Sequence, residues 1–162
     1  MTTELLDYKR ILVVDDESDV LETIEEILST CDVVKASTFD EAKALLEREY
    51  FDIAILDIMG VDGYGLLEIA KGRGIMAVML TAHALSPEDT AKSYQEGAAS
   101  YVPKEKVSEI ATFLTDVLEA KEEGKSTWSR WFDRFAAYYD KKFGPHWKKK
   151  TKELMEDVGF WE

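Results

Sequence analysis

Apolar runs and helix-period stripes alternate along the first 124 residues. The run 11–14 is continuously apolar and closes on Asp15 and Asp16. A short unbroken run of this kind predicts a strand buried on both faces. Val20, Leu21, Ile24, Ile27 and Leu28 follow at helical spacing. The segment 32–36 is a second, weaker strand. Ala42, Leu45 and Leu46 mark a second helix, with Thr38 or Asp40 as its cap. A third buried run, 51–58, carries Asp57 at its end. Gly60, Gly63 and Gly65 loosen the chain before a short helix at 64–71, which Gly72 and Gly74 end. The fourth run is 75–82. Pro87 suits the first turn of the next helix, which Ala91, Tyr94 and Gln95 continue to Gly97. A strand at 99–102 and a helix lined by Val107, Ile110, Leu114, Val117 and Leu118 complete the series.

Five strand–helix units in a row predict an α/β fold, a doubly wound parallel sheet with helices on both faces. In such a sheet functional groups gather outside the carboxyl ends of the strands. Here those ends carry Asp15 and Asp16, then Asp57, then Thr81 and Ala82, then Pro103 and Lys104. Three carboxylates at adjacent strand ends repel one another, and a hard cation such as Mg²⁺ (or Mn²⁺) with oxygen ligands relieves that repulsion. A lysine supplies a point charge for phosphate oxygens. A threonine hydroxyl and backbone N–H groups around Ala82 add hydrogen bonds. This set of groups can hold a metaphosphate-like group in line with Asp57, whose carboxylate is the nucleophile.

Four motifs in order, VVDDE (13–17), LDIM (56–59) with Asp62-Gly63 after it, MLTAH (79–83) and EGAASYVPK (96–104), resemble the response-regulator receiver domain. The resemblance covers residues 9–121 and implies a flavodoxin-like sheet of order 2-1-3-4-5. It implies Asp57 as phosphoacceptor, with Asp15, Asp16, Asp57 and the backbone carbonyl of Met59 as metal ligands. It implies Thr81 and Lys104 as catalytic groups, with Ile58 and Ala82 joining them at the phosphate. Thr81 and Tyr101 match the switch pair of that family: the hydroxyl moves inward and the aromatic turns in behind it. The implied donor is a histidine kinase or phosphotransfer protein, and signalling then runs through an unknown downstream protein or a homodimer. No enzymatic activity beyond self-phosphorylation and autodephosphorylation is expected.

Two departures from the family pattern stand out. The loop after Asp57, IMGVDG, is two residues shorter than the common one and lacks proline. The usual Lys-Pro after the fifth strand is replaced by Pro103-Lys104-Glu105. Met59 and His83, each two residues past a site residue, are candidates for tuning dephosphorylation. Taken singly, every one of these residues has a plainer use. Asp15, Asp16 and Glu17 suit an acidic helix start, Thr81 a strand, Lys104 a solvated surface, and Tyr101 a core. A phosphohydrolase working through an aspartyl phosphate would want a second acid near Asp57, where Ile58 and Met59 stand. A receiver-like scaffold without chemistry would not need Asp16, Asp57, Thr81 and Lys104 together.

Residues 125–162 read as a helical extension and hold all four tryptophans. Ser126 or Thr127 can cap a helix whose Trp128, Trp131, Phe135, Tyr138 and Tyr139 form an amphipathic stripe. Gly144-Pro145 breaks it, and 146–158 suits a second short helix. The stripe is expected to pack on the body or on a second copy of the chain. A partner-binding helix, a membrane-surface helix and a nucleic-acid contact are the other readings. Charge narrows them: residues 1–124 carry 11 basic and 27 acidic side chains, and 125–162 carry 9 and 6. A body so acidic repels nucleic acid, and a mildly basic tail offers little, so nucleic acid and membrane partners are not expected. No apolar run reaches about 18 residues, there is no signal-peptide pattern, and Cys31 is the single cysteine. A cytoplasmic setting is the expectation.

Overall fold

The computed structural model describes residues 4–82, 87–144 and 147–156. Five strands, β1 (Arg10–Val14), β2 (Asp32–Ala36), β3 (Ile53–Asp57), β4 (Met76–Thr81) and β5 (Ser100–Pro103), form one sheet. All neighbours are parallel, and the order is β2-β1-β3-β4-β5. Between and after the strands come α1 (Ser18–Ile27), α2 (Phe39–Arg48), α3 (Gly63–Gly72), α4 (Pro87–Gln95) and α5 (Ile110–Glu123). This is the doubly wound sheet that the alternating pattern predicts. The middle strand β3 is buried along its whole length. Each of its Ile53, Ile55 and Leu56 side chains adds ~1.5–3 kcal/mol by leaving water.

Local chemistry sets the helix ends. Thr38 caps α2, its Oγ1 accepting from the Glu41 backbone N–H at 3.2 Å, while Glu41 Oε1 accepts from the Ser37 N–H at 2.8 Å. Of the two cap candidates, Thr38 is therefore the one used. Asp62 takes a left-handed conformation (φ 54°) and caps α3 by accepting from the Gly65 N–H at 3.3 Å. Gly124, at φ 68°, ends α5 in the left-handed turn that glycine permits.

Three local differences from the sequence pattern appear. The third strand begins at Ile53, because Asp52 turns back on β1: its N–H donates to the Arg10 carbonyl and its carboxylate accepts from the Arg10 N–H, both at 2.8 Å. Val107 belongs to a 3₁₀ turn, Lys104–Glu109, which swings the chain off β5 before α5 begins. A short 3₁₀ turn at Glu4–Leu6, not foreseen, buries Leu6 beneath α5.

The extension forms α6 (Thr127–Phe143) and α7 (Trp147–Glu156). Ser126 is its cap, accepting from the Trp128 N–H at 3.2 Å. The stripe is turned onto the body: Trp128, Trp131, Phe132 and Phe135 are all buried. Helix α6 lies along α5 and β5, and α7 lies along α4. Phe132, outside the expected stripe, is buried because α7 brings Trp147 over it, with ring centroids 6.0 Å apart. The side chains of Tyr138 and Tyr139, together with Pro145, His146, Val158 and Trp161, lie outside the described residues, so the second helix is described only from Trp147 to Glu156.

Candidate functional site

The register of the sheet decides which strand ends meet. Val14 of β1 lies opposite Leu56 of β3, so Asp15 and Asp57 extend side by side from neighbouring strands. Asp57 lies opposite Leu80 of β4, and Thr81 lies opposite Pro103 of β5. The carboxyl edge of the sheet thus brings together Asp15, Asp16, Asp57, Thr81 and Lys104, residues that span ninety positions of sequence. Asp15 is fully buried, Asp57 is 3% exposed, and Thr81 is buried.

Lys104 is the hinge of the electrostatics. Its Nζ lies 2.9 Å from Asp15 Oδ2, 2.7 Å from Glu17 Oε1 and 3.7 Å from Asp57 Oδ1. Burial works to lower its pKa, but the hydrogen bond to Glu17 and the pairing with Asp15 and Asp57 outweigh it and hold the ammonium charged. The second oxygen of Asp15, Oδ1, accepts from the Glu17 N–H at 2.8 Å. Burial nevertheless raises the Asp15 pKa. Asp57 is pushed up to about 6, by burial first and by the charge of Asp15 next, against the pull of Lys104.

Gly60 lines the opposite wall. A methyl group there would sit 2.3 Å from Asp57 Oδ2 and 2.4 Å from Asp16 Oδ1. The two carboxylates therefore face one another across a space that only a glycine leaves open. Asp57 also accepts a hydrogen bond from the Gly60 backbone. Gly63 comes equally close from below, where a Cβ would meet the Asp57 carbonyl at 2.4 Å.

The donor set suits a hard divalent cation. Carboxylate oxygens of Asp15, Asp16 and Glu17 lie within 4.8 Å of one another, and Asp16 and Asp57 flank the Gly60 space. Asp15 Oδ2 is buried and has the Lys104 charge beside it but no well-directed hydrogen bond. All these donors are oxygen, the preference of Mg²⁺ and Mn²⁺.

The other expected site residues divide. Ala82 is exposed at the end of β4, on the rim. Met59 projects its side chain into solvent, 84% exposed. Ile58 donates its N–H to the Leu80 carbonyl at 2.9 Å, and its side chain is buried. That bond continues the β3–β4 pairing one residue past Asp57. His83 lies outside the described residues. Tyr101 is fully buried, with its hydroxyl 3.4 Å from Thr90 Oγ1 and its ring stacked on Trp131 at 5.4 Å. Two contributors escaped the sequence reading. Glu17 looked like a helix-start acid and holds the lysine, and Gly60 looked like a loop breaker and forms the wall.

Among the described residues no helix is long and apolar enough to cross a membrane. The family description "Response regulator receiver domain" fits residues 11–115. A probable transcriptional regulator, ycf27, of Porphyridium aerugineum is 33% identical over 122 residues, which are 69% of this chain and 50% of that protein. The alginate biosynthesis transcriptional regulatory protein AlgB of Pseudomonas aeruginosa is 39% identical over 102 residues, 59% of this chain and 22% of that one. The chain thus spans half or less of the length of these relatives. A CheY-like receiver domain protein from Methanospirillum hungatei superposes with a TM-score of 0.64 at 32% identity, covering 73% of this chain and 99% of that one. The order of the strands, the acidic edge and the extent of the match agree, and the chain belongs to the response regulator receiver domain family.

Proposed function

We propose that this chain accepts a phosphoryl group on Asp57 from a histidine kinase or phosphotransfer protein, in the presence of Mg²⁺ or Mn²⁺. The observation that carries the reading is the setting of Asp57. It is a nearly buried carboxylate with an ammonium on its Oδ1 side and a second carboxylate across Gly60 on its Oδ2 side. Oδ1 is the nucleophile. It attacks phosphorus, the P–N bond to the donor imidazole breaks, and the imidazole nitrogen leaves with the bonding pair. An O–P bond to Asp57 replaces it. Lys104 and the Thr81 hydroxyl meet the phosphoryl oxygens. Asp15, Asp16 and Asp57, with the Met59 carbonyl, would hold the divalent ion, whose charge offsets that of the phosphoryl oxygens. Water attack on the acyl phosphate returns the carboxylate and inorganic phosphate. Output runs through protein contacts, and the transcriptional role in the relatives' names belongs to proteins of which the likeness covers half or less.

The test is intact mass after incubation with acetyl phosphate. Wild type with Mg²⁺ gains one phosphoryl group. Asp57→Ala, and wild type with chelator, gain none. An adduct of equal yield in Asp57→Ala would place the chemistry elsewhere.

A further inference from the structure

Helix α6 is bonded to the same segment of chain that carries Lys104. The indole Nε1 of Trp131 donates to the Tyr101 carbonyl at 2.7 Å, and that of Trp128 donates to the Ala98 carbonyl at 2.9 Å. Trp131 also stacks on the Tyr101 ring. Three residues beyond Tyr101, Lys104 sits in the acidic cleft. From the other side, Arg134 of α6 forms a two-pronged ion pair with Asp116 of α5, and Lys150 of α7 meets Glu88 of α4 at 2.8 Å. The extension therefore closes over β5 with one anchor on the strand and one on each flanking helix.

The closure is sound but not complete. Thr151 Oγ1 and Asp140 Oδ1 are buried on the extension with no hydrogen-bond partner among the described residues. Such atoms cost free energy that undocking returns to water. The buried rings of Trp128, Trp131, Phe132, Phe135 and Trp147 work the other way and supply most of the hold, while the directional bonds fix where the extension sits on the body.

We propose that α6 and α7 are the receiver's own output element, a clamp held closed by the resting position of β5 and released when Asp57 is phosphorylated. The inference rests on the phosphoacceptor reading of Asp57. In the resting arrangement Lys104 is shared by Asp15 and Glu17 and stands off from Asp57. A phosphoryl group adds nearly two negative charges and three acceptor oxygens beside Oδ1. Lys104 moves toward them and draws the carboxyl end of β5 with it. The indole bonds at Tyr101 and Ala98 tolerate little displacement, since hydrogen bonds weaken steeply with angle. Release uncovers the aromatic face of α6 and the surface of α4, β5 and α5 beneath it together.

Hydrogen exchange on the full chain tests this, with and without Mg²⁺ and beryllofluoride, while fluorine NMR reports whether the mimic is bound. With the mimic bound, amides of α6 should exchange about tenfold faster or more, while β1 and β3 stay protected. Trp131→Phe keeps a ring but loses the N–H, and it should speed α6 exchange without the mimic. Bound mimic with unchanged or slower α6 exchange overturns the clamp and leaves the phosphoacceptor standing. No bound fluoride signal sinks the phosphoacceptor reading, and the clamp with it.

Discussion

At the scale of single residues, the cleft keeps charge where burial opposes it. Asp57 is the clearest case, with its pKa raised to about 6 by burial and by Asp15. A carboxyl whose pKa is higher in the folded chain binds its proton more tightly there. Its stabilising contribution is complete below the ordinary value near 4 and is lost as pH rises through about 6. Above that, the ionised group costs the fold about 3 kcal/mol in metal-free buffer. Asp57→Asn removes the charge, and because the value near 6 already includes the attraction of Lys104, a net gain of about 3 kcal/mol is expected at pH 7.5. The gain should shrink toward zero near pH 4. Urea unfolding at the two pH values, with chelator present, measures it, and an equal effect at both would mean that ionisation is not the cause. Lys104 was legible as a strand-end cation, but its hold on Glu17 was not. Two residues eighty-seven apart meet only through the register of β1, β3, β4 and β5.

At the scale of elements, the loop between β3 and α3 does two different jobs with two glycines. The sequence shows a glycine cluster, and a cluster reads only as a break in the helix and strand patterns. What each glycine avoids is a contact made by folding. Gly60→Ala would put a methyl between Asp57 Oδ2 and Asp16 Oδ1, both mobile side-chain atoms. The fold can absorb that by turning the carboxylates, but the cleft cannot. The expected result is near-wild-type stability with phosphorylation by acetyl phosphate slowed by about 100-fold or more. Gly63→Ala would press on the Asp57 backbone carbonyl, which has nowhere to go. That variant should lose about 2 kcal/mol, as overpacked sites do. Urea midpoints and adduct rates on both variants separate the two jobs, and the pairing of effects fails if Gly60→Ala unfolds as readily as Gly63→Ala. Elsewhere the elements were legible wherever burial imposed a period. They were misplaced by a few residues where a tertiary bond intervened, as at Asp52 and Val107.

At the scale of the whole molecule, an acidic body carries a mildly basic extension, and the docking follows that division. The amphipathic stripe of α6 announced that something would cover it. It could not say what, because an apolar face names no partner. The answer lies in polar matches that no periodicity encodes: indole N–H groups finding the Ala98 carbonyl just before β5 and the Tyr101 carbonyl within it, and Arg130 and Arg134 finding Glu119 and Asp116. All four tryptophans belong to the extension, so tryptophan emission reports docking while far-ultraviolet circular dichroism reports the sheet and helices as a whole. If the extension is the weaker unit, the emission shift should come at lower urea than the main dichroism transition. Asp116 is buried on α5 and is the partner through which Arg134 is held. Asp116→Asn keeps the shape and removes the charge, and should weaken docking by about 1 kcal/mol. The emission midpoint then moves to lower urea while the dichroism midpoint hardly changes. Sodium chloride at 1 M shortens the screening length to about 3 Å and should reproduce part of that separation in the wild type, with less further effect in the variant. Transitions that coincide in both proteins at low and high salt would instead make the extension an integral part of one cooperative fold. A released clamp would then require unfolding of the receiver itself.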